Sequence, residues 1–250
     1  DEARWLRRVA EAVAHGARPS DAVRATPERL DALLAAAAPP PAPECESWLE
    51  MARVFDAPGI RARLRAAATD ASPARFVTDV VAPLLAAVGR AWADGRADIR
   101  HEHFLSALVA EELRALRDRA VVREDGPRVV LSTLPDERHG LGVEMAAAVA
   151  AHAGARCVIL GADTPLVEIA AAARELDADF VAVSVSVANG GVDADRLLAG
   201  LRAQISPWTR LVVGGAGTRR PRRAPRGIEY VEDLSRFHDL LAQARRRQPS

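Results

Sequence analysis

The stretch Asp136-Glu137-Arg138-His139-Gly140-Leu141-Gly142 carries the chemistry most worth reading in this sequence, because a carboxylate stands two residues before a histidine and glycines follow it. An imidazole can ligate a metal. A carboxylate at that distance can hold one ring nitrogen, fix the tautomer and raise the basicity of the other nitrogen. The glycines let a bulky planar group approach the backbone. Taken alone, a loop histidine is more often an ordinary surface or capping residue, and it is the spacing Glu-x-His-x-x-Gly that favours ligation by His139. Gly142 is followed after 41 residues by Ser184-Val185-Ser186, and after a further 27 by Gly214-Gly215, with Gly217 close behind. These residues have little side-chain bulk, and the serines add hydroxyls that can bond a polar ligand. Read alone, Gly214-Gly215-Ala216-Gly217 could also be a phosphate loop, which would leave His139 unexplained. A third constellation is Trp92, then nine residues, then Glu102-His103. An indole offers a flat apolar wall and a carboxylate accepts from hydroxyl or amino groups, although Trp92 by itself reads as core packing.

The elements that must position these residues follow from hydrophobic period. Trp5, Val9, Ala12 and Val13 recur at helical spacing, helix starts are signalled near Pro19-Ser20-Asp21 and Thr26-Pro27-Glu28, and the run Pro39 to Pro43 predicts a semi-rigid linker. From Glu44 to about Ala120 the pattern is helical. Trp48, Met51, Val54 and Phe55 form one stripe, Ile60, Leu64 and Ala67 another. A long helix opens at Ser72-Pro73 and runs to Trp92 despite Pro83, and a fourth runs from about His101 through Leu113. Short connections favour an antiparallel bundle. After Gly126-Pro127 the pattern changes to short β-branched runs at 128–134, 156–160, 180–186 and 210–213, with a weaker one at 228–231 and a last helix from Ser235. Strand-helix alternation of this kind predicts a doubly wound α/β domain, whose ligands bind beyond the carboxyl ends of its strands. Glu137 to Gly142, Ser184, Ser186, Gly214 and Gly215 all fall there. The expected division is 1–38, 44–122 and 126–248.

Composition narrows the function. The charge is balanced, 34 basic against 34 acidic residues, and all the basic ones are Arg, so no overall footprint for nucleic acid is expected. The local clusters Arg219 to Arg226 and Arg245 to Arg247 read as a solvated loop and a frayed helix end. Cys45 and Cys157 are too far apart to define a disulfide framework or a thiolate metal site, which fits a reducing cytoplasm. No apolar run is long enough to span a bilayer and no export signal is seen, so a cytoplasmic protein without membrane contact is expected.

Together, Glu137-x-His139-x-x-Gly142, Ser184-Val185-Ser186 and Gly214-Gly215 at these gaps resemble the cobalamin-binding domains of light-dependent MerR-type regulators. The third residue of Ser184-Val185-Ser186 departs from the leucine common in that family. The spacing from Trp92 to Glu102-His103 resembles the cap motif of its adenosylcobalamin-dependent photoreceptors. The resemblance implies a helical-bundle cap over a flavodoxin-like domain. It also implies cobalamin bound with its nucleotide tail detached and threaded into a slot, and His139 as the lower cobalt ligand with Glu137 behind it. By the same resemblance Arg138, Gly140, Leu141, Gly142, Thr164, Ser184, Ser186, Val187, Gly214, Gly215 and Gly217 line the cofactor site, while Trp92, Glu102 and His103 meet an upper adenosyl group. A light sensor is implied rather than an enzyme, a homo-oligomer regulating transcription or a partner protein.

Two departures qualify this. Members that bind DNA typically carry His directly after the Trp, where it takes the upper cobalt site once light has expelled the adenosyl group; here Ala93 stands there, and it cannot ligate. A bis-histidine photoproduct would need His101 or His103 to move in, and the space could admit a bilin such as biliverdin, as in the related photocobilins. Residues Trp5 to Leu34 look like the later helices of a MerR-type winged-helix domain, but the recognition helix expected before them is absent, so direct reading of DNA is not expected. A corrinoid carrier for methyl transfer is the competing reading; the aromatic and acidic pair Trp92 and Glu102 suits a nucleoside better than a bare methyl group.

Overall fold

The computed structural model describes residues 5, 6, 8, 9, 12, 19–30, 43–218, 226–231 and 233–244. The predicted linker from Pro39 to Pro43 lies outside these except for Pro43, as do Val13 and the arginines at 219, 220, 222, 223 and 245–247. The chain divides into two compact units, one drawing on residues 1–70 and 79–112, the other on 71–78 and 113–250.

The first unit is helical. Helix α1 (Pro19–Val23) begins where Pro and Ser signal a start, and Thr26 caps the next turn by accepting from the Arg29 N–H at 3.3 Å. Val9, Ala12, Ala22 and Leu30 bury together there. Helix α2 (Pro43–Arg53) packs against α3 (Ala57–Asp70) and α5 (Ala82–Ala93). The stripe expected on α2 needs correcting. Trp48, Leu49 and Ala52 are buried, but α2 ends at Arg53, and Val54 and Phe55 are exposed in the turn that follows. Phe55 stops the helix at φ 54°, the left-handed position glycine usually takes, and its ring lies edge-on to Phe104 at 5.1 Å.

Ile60 and Leu64 are buried on α3 as expected. Ser72 caps α4 (Pro73–Arg75), a segment that belongs to the second unit, and the chain continues through a π-helical stretch (Phe76–Val81) into α5. Pro83 follows directly. It lacks an N–H and crowds the carbonyl four residues back, and the widened turn before it accommodates both, so the long helix continues. Helix α6 (Ile99–Asp118) is tied to α3 by Arg61 and Glu111 at 2.9 Å.

The second unit is a five-stranded parallel sheet in the order β2-β1-β3-β4-β5, formed by β1 (Arg128–Thr133), β2 (Arg156–Gly161), β3 (Phe180–Ser184), β4 (Arg210–Gly214) and β5 (Ile228–Tyr230). This is the flavodoxin-like order, which reverses direction between β1 and β3. Successive side chains alternate between the faces. Val130, Val181, Val183, Leu211 and Val213 pack on one side against Ile169 and Ala173 of α8 (Leu166–Glu175) and Leu198 and Leu201 of α9 (Val192–Gln204). Leu131, Ala182 and Val212 face α7 (Leu141–His152) and α10 (Leu234–Gln243) across a cavity. Near its end β2 slips by one residue against β1, so that Leu131 pairs with Ile159 but Ser132 with Gly161. Such a bulge re-aims the chain as it leaves the sheet.

Candidate functional site

The His139 loop leaves β1 on one side of the strand-order reversal, and the loop holding Ser186 leaves β3 on the other. Between them sits Glu137, whose side chain is 1% exposed. Its Oε1 lies 2.6 Å from His139 Nδ1 and also accepts from the His139 backbone N–H at 2.9 Å, while Oε2 accepts from the Ser186 N–H at 2.9 Å. Burial would raise the Glu137 carboxyl, but the hydrogen bonds from His139 and Ser186 outweigh it and bring it down to about 2. Glu137 is therefore an anion at neutral pH. It favours the imidazole proton on Nδ1 and the lone pair on Nε2, the nitrogen a metal would use. The His139 side chain is 58% exposed, so a large ligand can reach it. Ser186 Oγ stands 3.4 Å from Nδ1.

Behind this group, between the sheet and helices α7 and α10, is an apolar cavity of about 90 Å³. Gly142, Ser184, Gly214 and Gly215 line it together with Leu131, Met145, Ala182, Val212, Val231 and Phe237. At Gly142 an added Cβ would stand 2.1 Å from Ser184 Oγ. At Gly215, with φ 108°, it would stand 2.4 Å from the Val185 carbonyl oxygen, and at Gly217 2.1 Å from that of Ser186. Gly140 differs, for its nearest neighbour would be 3.9 Å away. The expected site residues thus separate. Glu137, His139 and Ser186 converge; Gly142, Ser184, Gly214 and Gly215 border the cavity; Gly217 lets two loops meet. Arg138 is exposed, Leu141 opens α7, Thr164 is buried just before α8, and Val187 begins a short 3-10 turn.

Trp92, Glu102 and His103 belong to the helical unit. Trp92 is 9% exposed near the end of α5, and Ala93 is the last residue of that helix. Glu102 Oε2 lies 2.7 Å from His103 Nδ1, and Oε1 accepts from Ser106 Oγ at 3.1 Å. His101 is buried and its Nδ1 accepts the Asp98 N–H at 3.1 Å.

Sequence reasoning missed the apolar cavity wall, whose residues look like any core. It also missed Thr133, Asp163 and Asn189, whose side chains bond the backbone of the His139 loop. Their places, Thr133 at the end of β1 and Asp163 and Asn189 just after β2 and β3, were the available signal.

The donor set fits one kind of metal group. Among the described residues no cluster of three or more His, Cys, Asp or Glu could hold a bare ion. A metal taking a single imidazole must bring its other ligands with it, as a corrin macrocycle does. A narrow apolar cavity edged by glycine and serine suits a flat heterocycle on a tail.

Comparison with known proteins agrees with this chemistry. Residues 127–233 match the B12 binding domain family, and residues 45–117 match a second family described in the same words. The chain is 28% identical over 223 residues to the HTH-type transcriptional repressor CarH of Myxococcus xanthus, covering 86% of this chain and 74% of that protein. It is 29% identical over 155 residues to CarA of the same organism, covering 61% and 54%. The monomethylamine corrinoid protein of Methanosarcina barkeri is similar in fold, with a TM-score of 0.57 at 12% identity over 79% of this chain and 96% of that one. Two B12-binding matches in tandem, with the CarH likeness running across both, support a CarH-like cobalamin-binding domain in this chain.

Proposed function

We propose that this protein is a cobalamin-dependent light sensor that holds adenosylcobalamin through His139 and changes conformation or oligomeric state on illumination, regulating transcription or a partner protein. When bound, that cofactor supplies a cobalt-carbon bond that visible light can break. The observation that carries the reading is the buried Glu137 anion 2.6 Å from His139 Nδ1, which orients the ring and strengthens Nε2 as a ligand. Gly142, Ser184, Gly214 and Gly215 would receive the nucleotide tail. At about 90 Å³ the cavity is smaller than the roughly 150 Å³ that holds benzene in an engineered core, so α7 and α10 would part somewhat on loading. In the helical unit Trp92 supplies an apolar wall and Glu102 an acceptor, which together suit an adenosyl group. A ligand shifts an equilibrium only through differential contacts, and these are the contacts its loss would remove.

Ala93 favours a variation on this reading. With no imidazole at that position, the dark state would not be replaced by a bis-histidine product unless His101 gave up its bond to the Asp98 N–H or His103 its pairing with Glu102. A second chromophore such as biliverdin could use the room instead.

The test is a visible spectrum and an elution volume of the adenosylcobalamin-loaded protein, in darkness and after green light, repeated with biliverdin. Both should change on illumination, and His139→Ala should lose the wild-type dark spectrum. Identical spectra and elution before and after light would overturn the sensor reading; methyl transfer from a methyl-loaded protein to an acceptor thiol would favour a corrinoid carrier in its place. Red absorption gained with biliverdin would establish the second chromophore, and its absence would remove it.

A further inference from the structure

The short loop between β1 and α7 is held by more than Glu137. Asp136 sits at φ 65° and Asp163, across from it, at φ 54°, both in the left-handed region. The Asp136 N–H donates to Asp163 Oδ1 at 2.7 Å, and the Asp136 carbonyl accepts from Asn189 Nδ2 at 3.0 Å. One peptide position is thereby gripped by side chains from the loops after β2 and after β3. The next carbonyl, of Glu137, accepts from the buried Thr133 hydroxyl at 2.7 Å and from the Asp163 N–H at 2.9 Å. Thr133 Oγ1 in turn accepts from that same Asp163 N–H at 2.9 Å.

We propose that Asp163, Asn189 and Thr133 are positioning residues that fix His139 for cobalt from both sides, an inference that rests on His139 being the ligand. Beyond its own loop, the Glu137 side chain reaches the β3 side, through the Ser186 N–H. Against sideways drift toward or away from β2, the loop has Asp163, whose chain is delivered there by the bulge at the end of β2. Two residues held at positive φ in facing loops are a strained arrangement that persists only when its surroundings over-determine it. A metal ligand needs its ring held within a fraction of an ångström, and bonds one step behind the ligand are worth about 10- to 100-fold in affinity.

The experiment uses the full chain with cob(II)alamin, reading affinity by equilibrium dialysis and the axial nitrogen by its hyperfine splitting in the frozen-solution EPR spectrum. Asp163→Ala should weaken binding about tenfold and lower the fraction of cobalt showing nitrogen splitting. Asp163→Asn keeps an acceptor at Oδ1 and should restore both. Asn189→Ala, at a partly exposed loop position, should shift both in the same direction by a smaller factor, and it carries the test if Asp163→Ala does not fold. Nitrogen splitting present in the wild type and undiminished in Asp163→Ala and Asn189→Ala would overturn the strap alone. Splitting absent from the wild type, with His139→Ala binding as tightly, would overturn the ligand assignment and the strap with it.

Discussion

Three carboxylates pair with histidines among the described residues, and two of them, Glu137 and Glu102, are built differently. Glu137 in the sheet unit is 1% exposed and accepts N–H groups of His139 and of Ser186, 49 residues further along. Glu102 in the helical unit is 20% exposed, and its partners here, His103 and Ser106, lie one residue and one turn away on its own helix. The first geometry is fixed by strand order, since only the reversal between β1 and β3 brings those loops together. The second is fixed by helix spacing alone and can readjust by side-chain rotation. One arrangement is held from two loops; the other can readjust within its own helix.

If that contrast is real, the largest effects should come from the backbone that lets the sheet-unit loops meet. Gly215 and Gly217 abut the carbonyl oxygens of Val185 and Ser186, and Gly215 has φ 108°. Backbone cannot step aside as a side chain can, so Gly215→Ala and Gly217→Ala should each cost about 3 kcal/mol or more. Gly140→Ala, with 3.9 Å of clearance, should stay within about 0.5 kcal/mol. Urea unfolding of the three variants decides this, and equal losses in all three would dissolve the distinction.

Next in size is the charge of Glu137. Its carboxyl is held at about 2, against 4.5 for the free group, so the folded state binds fewer protons than the unfolded state between those values. The stabilisation is complete above about pH 4.5 and is lost as pH falls toward 2; the shift bounds it at about 3 kcal/mol. Glu137→Gln should therefore be less stable than the wild type at pH 7, and the gap should close on acidification through that window. A gap independent of pH would mean the anion contributes nothing beyond shape.

Much of this contrast is legible in the amino-acid sequence. The strands stand out because buried parallel strands are continuous apolar runs, and His139, Ser184 and Gly214 fall at their carboxyl ends as the sheet requires. What escapes a sequence reading depends on tertiary contact. Phe237 and Met145 line the cavity, yet nothing in an apolar residue's type tells a cavity wall from packed core. Asp163 and Asn189 look like ordinary turn formers, and their role exists only because other loops arrive beside them. The stripe expected on α2 runs two residues too far since Phe55 occupies a stop position where glycine would have signalled the end.

The smallest expected effect is the one that tests whether the helical carboxylate serves a ligand at all. Glu102 gains little stability from His103, whose side chain is 70% exposed, because an exposed pair is screened by water. Glu102→Gln should thus change urea stability of the unloaded protein by no more than about 0.5 kcal/mol. If Glu102 accepts from nucleoside hydroxyls or amino groups, exchanging a charged acceptor for a neutral one should lower the preference for adenosyl- over methylcobalamin by about fivefold, near 1 kcal/mol. Hydroxocobalamin, lacking the nucleoside, should bind the variant and the wild type alike. A loss spread evenly over all three cobalamins would make Glu102 a structural residue of its helix; a loss confined to the adenosyl form would make it the part of the molecule that recognises what light removes.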